Sequence, residues 1–234
     1  MRPVSRGGAP TDSNGLPISF KEYCDARDEL LKRIGDYCSY CESPLLAPAV
    51  EHIQPKSKEP TLEKTWSNFL LACTFCNSIK NDKTIDTNNL NEYFWADIDN
   101  TARAFIYEKD RSPQINVSLT ISNQLIAQNT LVLTGLDREP LHPLLSKKDR
   151  RWTKRNEAWI KAERAKTNLI QQPNALMRRQ ILDTATSTGF WSVWMTVFKE
   201  DTEMRHLLLT EFKGTSKDCF DADSLPMPRP GGKI

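Results

Sequence analysis

Two Cys-x-x-Cys pairs, Cys38/Cys41 and Cys73/Cys76, stand 31 residues apart and restrict this chain more than any other feature. In a reducing compartment such spacing reads as one tetrahedral zinc site rather than as two disulfides. Zinc bound by four thiolates closes the intervening loop and fixes the elements at its two ends relative to each other. That centre is structural, because four thiolates leave no open position for water or substrate. Hydrolytic chemistry then requires a second metal held by harder ligands. Cys24 and Cys219 are left over and read as small buried hydrophobes.

The loop between the pairs contains AVEHIQPKSKEPTLEKTWSNFLLA, and NSIK follows the second pair. Glu51 and His52 are suitable residue types for a hydrolytic centre. A carboxylate binds Mg²⁺ or Mn²⁺, and an imidazole titrating near neutrality can take a proton from an attacking water. Neighbours on a strand point to opposite faces, so the two converge only through a twist or bulge. Asn68 and Asn77 supply neutral oxygen ligands or hydrogen-bonding groups.

Periodicity and punctuation set the context. Ser19 and Glu22 form a capping-box pattern before FKEYCDARDELLKRI, which predicts a helix ended by Gly35. A short strand is expected around residues 49–53 and a helix from near Cys76. Residues 91–110 and 114–120 read as short extended segments, and a helix is expected from Ser122 to about Leu133, stopped by Gly135. The remainder reads as helices over 146–172, from Pro173, over 189–200 and over 201–214. The Gly- and Pro-rich ends, 1–17 and 226–234, are expected to lie outside the core and to be flexible. Between them the expected organisation is a nuclease-sized unit at 18–137, with its zinc knuckle at 38–83, and a C-terminal helical region at 138–225.

The run CSYCESPLLAPAVEHIQPKSKEPTLEKTWSNFLLACTFCNSIK resembles the HNH endonucleases, with His52, Asn68 and Asn77 at the three name-giving positions. The resemblance combines the zinc spacing, Glu-His after an apolar pair, Trp66-x-Asn68 and Cys76-Asn77-x-x-Lys80. It implies a zinc-stapled ββα-metal module within a mostly helical α+β chain. It also implies that His52 activates water, Glu51 and Asn77 bind one catalytic Mg²⁺ or Mn²⁺, and Asn68 holds the hairpin loop. The third position is Asn rather than the commoner His, and the acid is Glu rather than the commoner Asp. In layout the chain also resembles bacterial HNH proteins that accompany ATPases in phage defence, as in Septu-type and some retron systems. This implies an ATPase partner protein.

The net charge of +2 does not by itself announce a nucleic-acid binder. Local clustering does more. Residues 146–167 carry nine Lys or Arg against three Asp or Glu, which reads either as a solvated face or as a phosphate-contacting one. Lys56, Lys58, Lys80 and Lys83 lie nearer the proposed centre, and Lys56, Lys80 and Lys83 are the expected nucleic-acid contacts, with Lys80 also suited to neutralising transition-state charge. His142 and His206 lack metal-ligand spacing, and the six tryptophans read as core rather than as base-stacking platforms. With no long apolar run, the chain is expected to be soluble and cytoplasmic, without membrane contact. The expected activity is metal-dependent phosphodiester hydrolysis of DNA. The alternative from another class is a non-catalytic, zinc-dependent nucleic-acid-binding or adaptor protein.

Overall fold

The computed structural model describes residues 1–81 and 83–234. Seven α-helices and two small antiparallel sheets make up the regular structure among these residues. A 3-10 turn, Tyr23–Ala26, leads into α1, Arg27–Ile34. The helical stretch therefore starts after Ser19, where the Asp25 carboxylate accepts the Glu22 N–H at 2.9 Å in place of the expected Ser19 cap. Gly35, at φ 75°, ends it. Cys24 points to solvent, contrary to expectation, whereas Cys219 is buried.

The first sheet pairs β1, Ala49–His52, with β2, Phe69–Ala72, in the register Glu51↔Leu70 and His52↔Phe69. All four residues of β2 are buried. A strand covered on both faces has no period-2 alternation, and the run FLLA shows none. Helix α2, Thr74–Asn81, begins one residue after Cys73, so both cysteines of the second pair sit at its start. The segments expected to be extended reduce to a two-residue ladder of β3, Phe105–Ile106, with β4, Gln114–Ile115.

Helix α3, Ile121–Thr134, is capped by the Thr120 hydroxyl and by Gly135, whose left-handed φ of 60° lets its N–H reach the Leu131 and Val132 carbonyls. Then follow α4, Arg151–Gln171, α5, Ala175–Thr188, α6, Trp191–Val197, and α7, Thr202–Glu211. Buried residues of the hairpin, of α1 and of α3 to α7 form one contiguous cluster. The change of character near residue 137 is thus a change of secondary structure, not a break in the core. No helix among the described residues is long and apolar enough to cross a membrane.

Both ends of the chain pack inward, against the expectation from composition. Arg2 is buried and donates to the Ile34, Phe212 and Lys213 carbonyls. Arg6 pairs with Asp97 at 2.9 Å and donates to the Phe69 carbonyl of β2. At the other end Ile234 is buried, and its carbonyl accepts from Asn100 and Arg229. Gly and Pro spare side-chain entropy on ordering, and a few long cations that satisfy buried carbonyls are enough to fasten such segments.

Candidate metal centre and hydrolytic pocket

The four cysteine sulfurs lie within 4.8 Å of one another. The first pair sits in a turn closed by the Glu42 N–H donating to the Cys38 carbonyl at 2.9 Å, with Glu42 in the left-handed region at φ 66°. The second pair is presented by the first turn of α2, where the Cys76 N–H points at Cys73 Sγ. Four thiols at tetrahedral range, three of them buried, are a donor set for a soft, closed metal site.

One cation supports that centre from far along the chain. Arg151, the first residue of α4, places Nη1 3.0 Å from Cys76 Sγ, while its other donors take the Thr134 and Gly135 carbonyls and the Asp149 carboxylate. Burial alone would lower the pKa of this guanidinium, but Cys76 and Asp149 hold it above its ordinary value. A cation beside thiolates favours their ionised form and fixes their orientation. Nothing in the sequence pattern pointed to Arg151. Of the nine cations in 146–167 it and Arg155 are buried, so this charge excess is only in part a surface property.

The other end of the hairpin is built differently. His52, the last residue of β1, is half-buried between Tyr23 and Phe69, with ring centroids 4.9 and 5.3 Å away. Its Nε2 lies 2.8 Å from the Glu63 carbonyl oxygen. A carbonyl only accepts, so in the neutral ring Nε2 carries the proton and Nδ1 keeps its lone pair. Nδ1 has no partner among the described residues. Burial holds the imidazole below its ordinary pKa, which keeps it neutral near pH 7.

Asn68 explains why the Glu63 carbonyl stands where it does. Buried at the start of β2, its Oδ1 accepts the Gln54 N–H at 2.8 Å, and its Nδ2 donates to the Gln54 carbonyl at 2.9 Å and the Leu62 carbonyl at 3.3 Å. The side chain thereby clamps both ends of the loop that carries Glu63. Trp66, in the same loop, packs on Phe20 and donates to the Gly7 carbonyl, so it ties the N-terminal segment down.

Neighbours on a strand such as Glu51 and His52 alternate between its faces. A pocket of about 310 Å³ across the end of the strand is nevertheless lined by both, together with Tyr23, Pro55, Lys56 and Asn77. The Glu51 carboxylate is buried. Its Oε1 accepts from Lys80 Nζ at 2.9 Å and from the Tyr40 hydroxyl at 3.3 Å, and Oε2 has no partner among the described residues. Burial pushes its carboxyl pKa up, and Lys80 pulls it back. The Asn77 side chain is likewise without a partner among these residues. Among the described residues, a carboxylate oxygen, an amide and an imidazole nitrogen without partners surround one polar pocket, a donor set for a hard divalent cation with a water beside it.

Of the lysines expected to meet nucleic acid, Lys80 is a correction. It is wholly buried, bound to Glu51 and, at 2.6 Å, to the His52 carbonyl, because the last turn of α2 places it under the strand end. Lys56 and Lys83 are exposed, and Lys56 pairs with Glu63 at 3.0 Å on the rim of the pocket. His142 and His206 belong to no metal-binding group among the described residues. Tyr40, the Glu63 carbonyl and the Tyr23 ring are parts of the site that spacing does not reveal.

No curated protein matches the chain. The HNH endonuclease family model matches residues 38–83, which span the four cysteines, Glu51, His52, Asn68, Asn77 and Lys80. The segment that carries both the thiol cluster and the Glu51, His52 and Asn77 side chains is an HNH endonuclease domain.

Proposed function

We propose that the protein is an endonuclease that hydrolyses phosphodiester bonds in DNA, with His52 as general base and a divalent cation held by Glu51 and Asn77. The observation that carries this reading is the anchored imidazole. His52 has Nε2 fixed on the Glu63 carbonyl and Nδ1 unpaired, in the same pocket as Glu51 and Asn77. A base must be neutral, oriented and within reach of the proton it removes, and this ring meets the first two conditions by burial and by one hydrogen bond. Asn68 is a positioning residue, because it holds the loop whose carbonyl orients the ring.

The Glu51 carboxylate and the Asn77 amide oxygen would hold Mg²⁺ or Mn²⁺, which when bound polarises the scissile phosphate and stabilises the leaving oxygen. His52 Nδ1 takes the proton of a water directed at phosphorus, and Tyr23 and Phe69 keep the ring from turning away. Lys56, on the rim of the pocket, and the exposed Lys83 contact backbone phosphates. The layout also supports a role in bacterial phage defence alongside an ATPase partner.

Nicking of supercoiled plasmid in Mg²⁺ or Mn²⁺ tests the proposal, with the candidate partner present in one arm. His52→Ala is expected to lower cleavage by about 10²- to 10⁴-fold while zinc content stays that of the parent. Undiminished nicking by that variant overturns the assignment. Failure of the parent to nick in any divalent cation, with the partner present, favours the adaptor reading.

A further inference from the structure

Lys80 stands out behind the pocket because it is wholly buried and yet paired with a carboxylate. Its ammonium donates to two groups that the proposed reaction depends on, the Glu51 carboxylate at 2.9 Å and the carbonyl of His52 at 2.6 Å. Burying an ammonium is costly unless an anion and further acceptors receive it, and here both do. The result is local electroneutrality. Glu51 is the single acid among the residues lining the pocket, and its charge is cancelled from behind by Lys80. On the rim, Lys56 and Glu63 cancel each other as well.

A divalent cation entering such a pocket meets one carboxylate oxygen without a partner, one neutral amide and no net negative charge. Hard cations are selected largely by ligand charge, so this donor set alone holds Mg²⁺ or Mn²⁺ weakly. A phosphodiester supplies the missing anion. We propose that Lys80 is a built-in counter-ion of Glu51, and that it makes divalent-cation binding in this pocket depend on a nucleic-acid phosphate arriving with the ion. Lys80 also ties β1 to α2 at the level of the base, so the same side chain keeps the Glu51 and His52 backbone in register. It is a positioning residue rather than a phosphate contact.

The inference rests on the metal-dependent reading above, and the test separates the two. Mn²⁺ binding to the zinc-loaded full chain is followed at pH 8.5 by loss of the free-ion electron paramagnetic resonance signal. It is measured alone and with a DNA duplex carrying phosphorothioate linkages. The parent is expected to bind Mn²⁺ at least roughly tenfold more tightly with the duplex, the order of effect that one added charge at close range produces. Lys80→Met removes the cation while keeping chain length, and is expected to tighten Mn²⁺ binding without DNA by a similar factor and to shrink the coupling. Glu51→Gln should abolish binding in both settings.

Unchanged or weaker Mn²⁺ affinity in Lys80→Met, where parent binding is lost in Glu51→Gln, overturns the Lys80 assignment alone. Mn²⁺ binding that survives Glu51→Gln sinks the proposed metal site itself. If Lys80→Met fails to retain zinc, the parent decides the matter, because equal Mn²⁺ affinity with and without duplex contradicts the proposal.

Discussion

The two ends of one short hairpin carry opposite kinds of chemistry. At one end four thiols face one another within 4.8 Å, and a buried guanidinium lies against one of them, Cys76. At the other, within a few residues, His52 Nδ1, Glu51 Oε2 and the Asn77 amide have no partner among the described residues although all three side chains line one pocket. The contrast is between a closed set of donors and an open one. In the first, the protein supplies all four ligands that a closed tetrahedral metal site needs. In the second, some donors are left for a ligand, and the neighbouring groups are spent on holding those few still.

The sharpest way to break that contrast is to open the first centre. Cys73→Ser removes one thiolate, and structural zinc is worth on the order of 10 kcal/mol to a small module. Loss of bound zinc and of a cooperative thermal transition near residues 38–83 is expected, read by metal analysis and circular dichroism. A normal melt without zinc would show that the thiols are not a fold staple. Next in size is His52→Ala, expected to remove about 10²- to 10⁴-fold of plasmid nicking while leaving zinc and the melt in place. A large fall in thermal stability instead would move His52 to the structural side of the comparison.

Arg151→Met should lie between the two kinds of centre. It strips a donor from Cys76 and leaves the Thr134 and Gly135 carbonyls unsatisfied, so zinc affinity should fall by about 10- to 100-fold in chelator competition. Parent-like affinity would mean that the contact is incidental. The smallest effect is expected from Lys56→Ala. Its pair with Glu63 is exposed, so stability should hardly change, while the salt dependence of DNA affinity should drop by about one unit of slope. An unaltered slope removes Lys56 from the interface.

The zinc ligands and the identity of the pocket residues were legible in sequence because each is a rare residue type at a fixed spacing, and spacing along a turn or helix is local. What escaped was non-local. Arg151 is 75 positions from the sulfur it supports, and no periodicity links them. Lys80 carries the same signal whether its ammonium faces solvent or a buried carboxylate, and the packing of α2 under β1 decides which. Strand β2 was hidden for a different reason. FLLA is buried on both faces, so the alternation that announces a half-exposed strand is missing. The terminal segments misled through composition, since Arg2, Arg6 and Ile234 do the anchoring while Gly and Pro dominate the count.

The grip of α4 on Cys76 has a practical consequence for anyone trimming this protein to its recognisable part. A fragment cut at residues 38 and 83 would keep every ligand and every reacting group, yet it would shed Tyr23 from beside the imidazole, Arg6 from the β2 backbone and Arg151 from the sulfur. The region that the family match outlines is here smaller than the set of residues that packs around it. Excised, it should bind zinc loosely and cut poorly even with its motif intact.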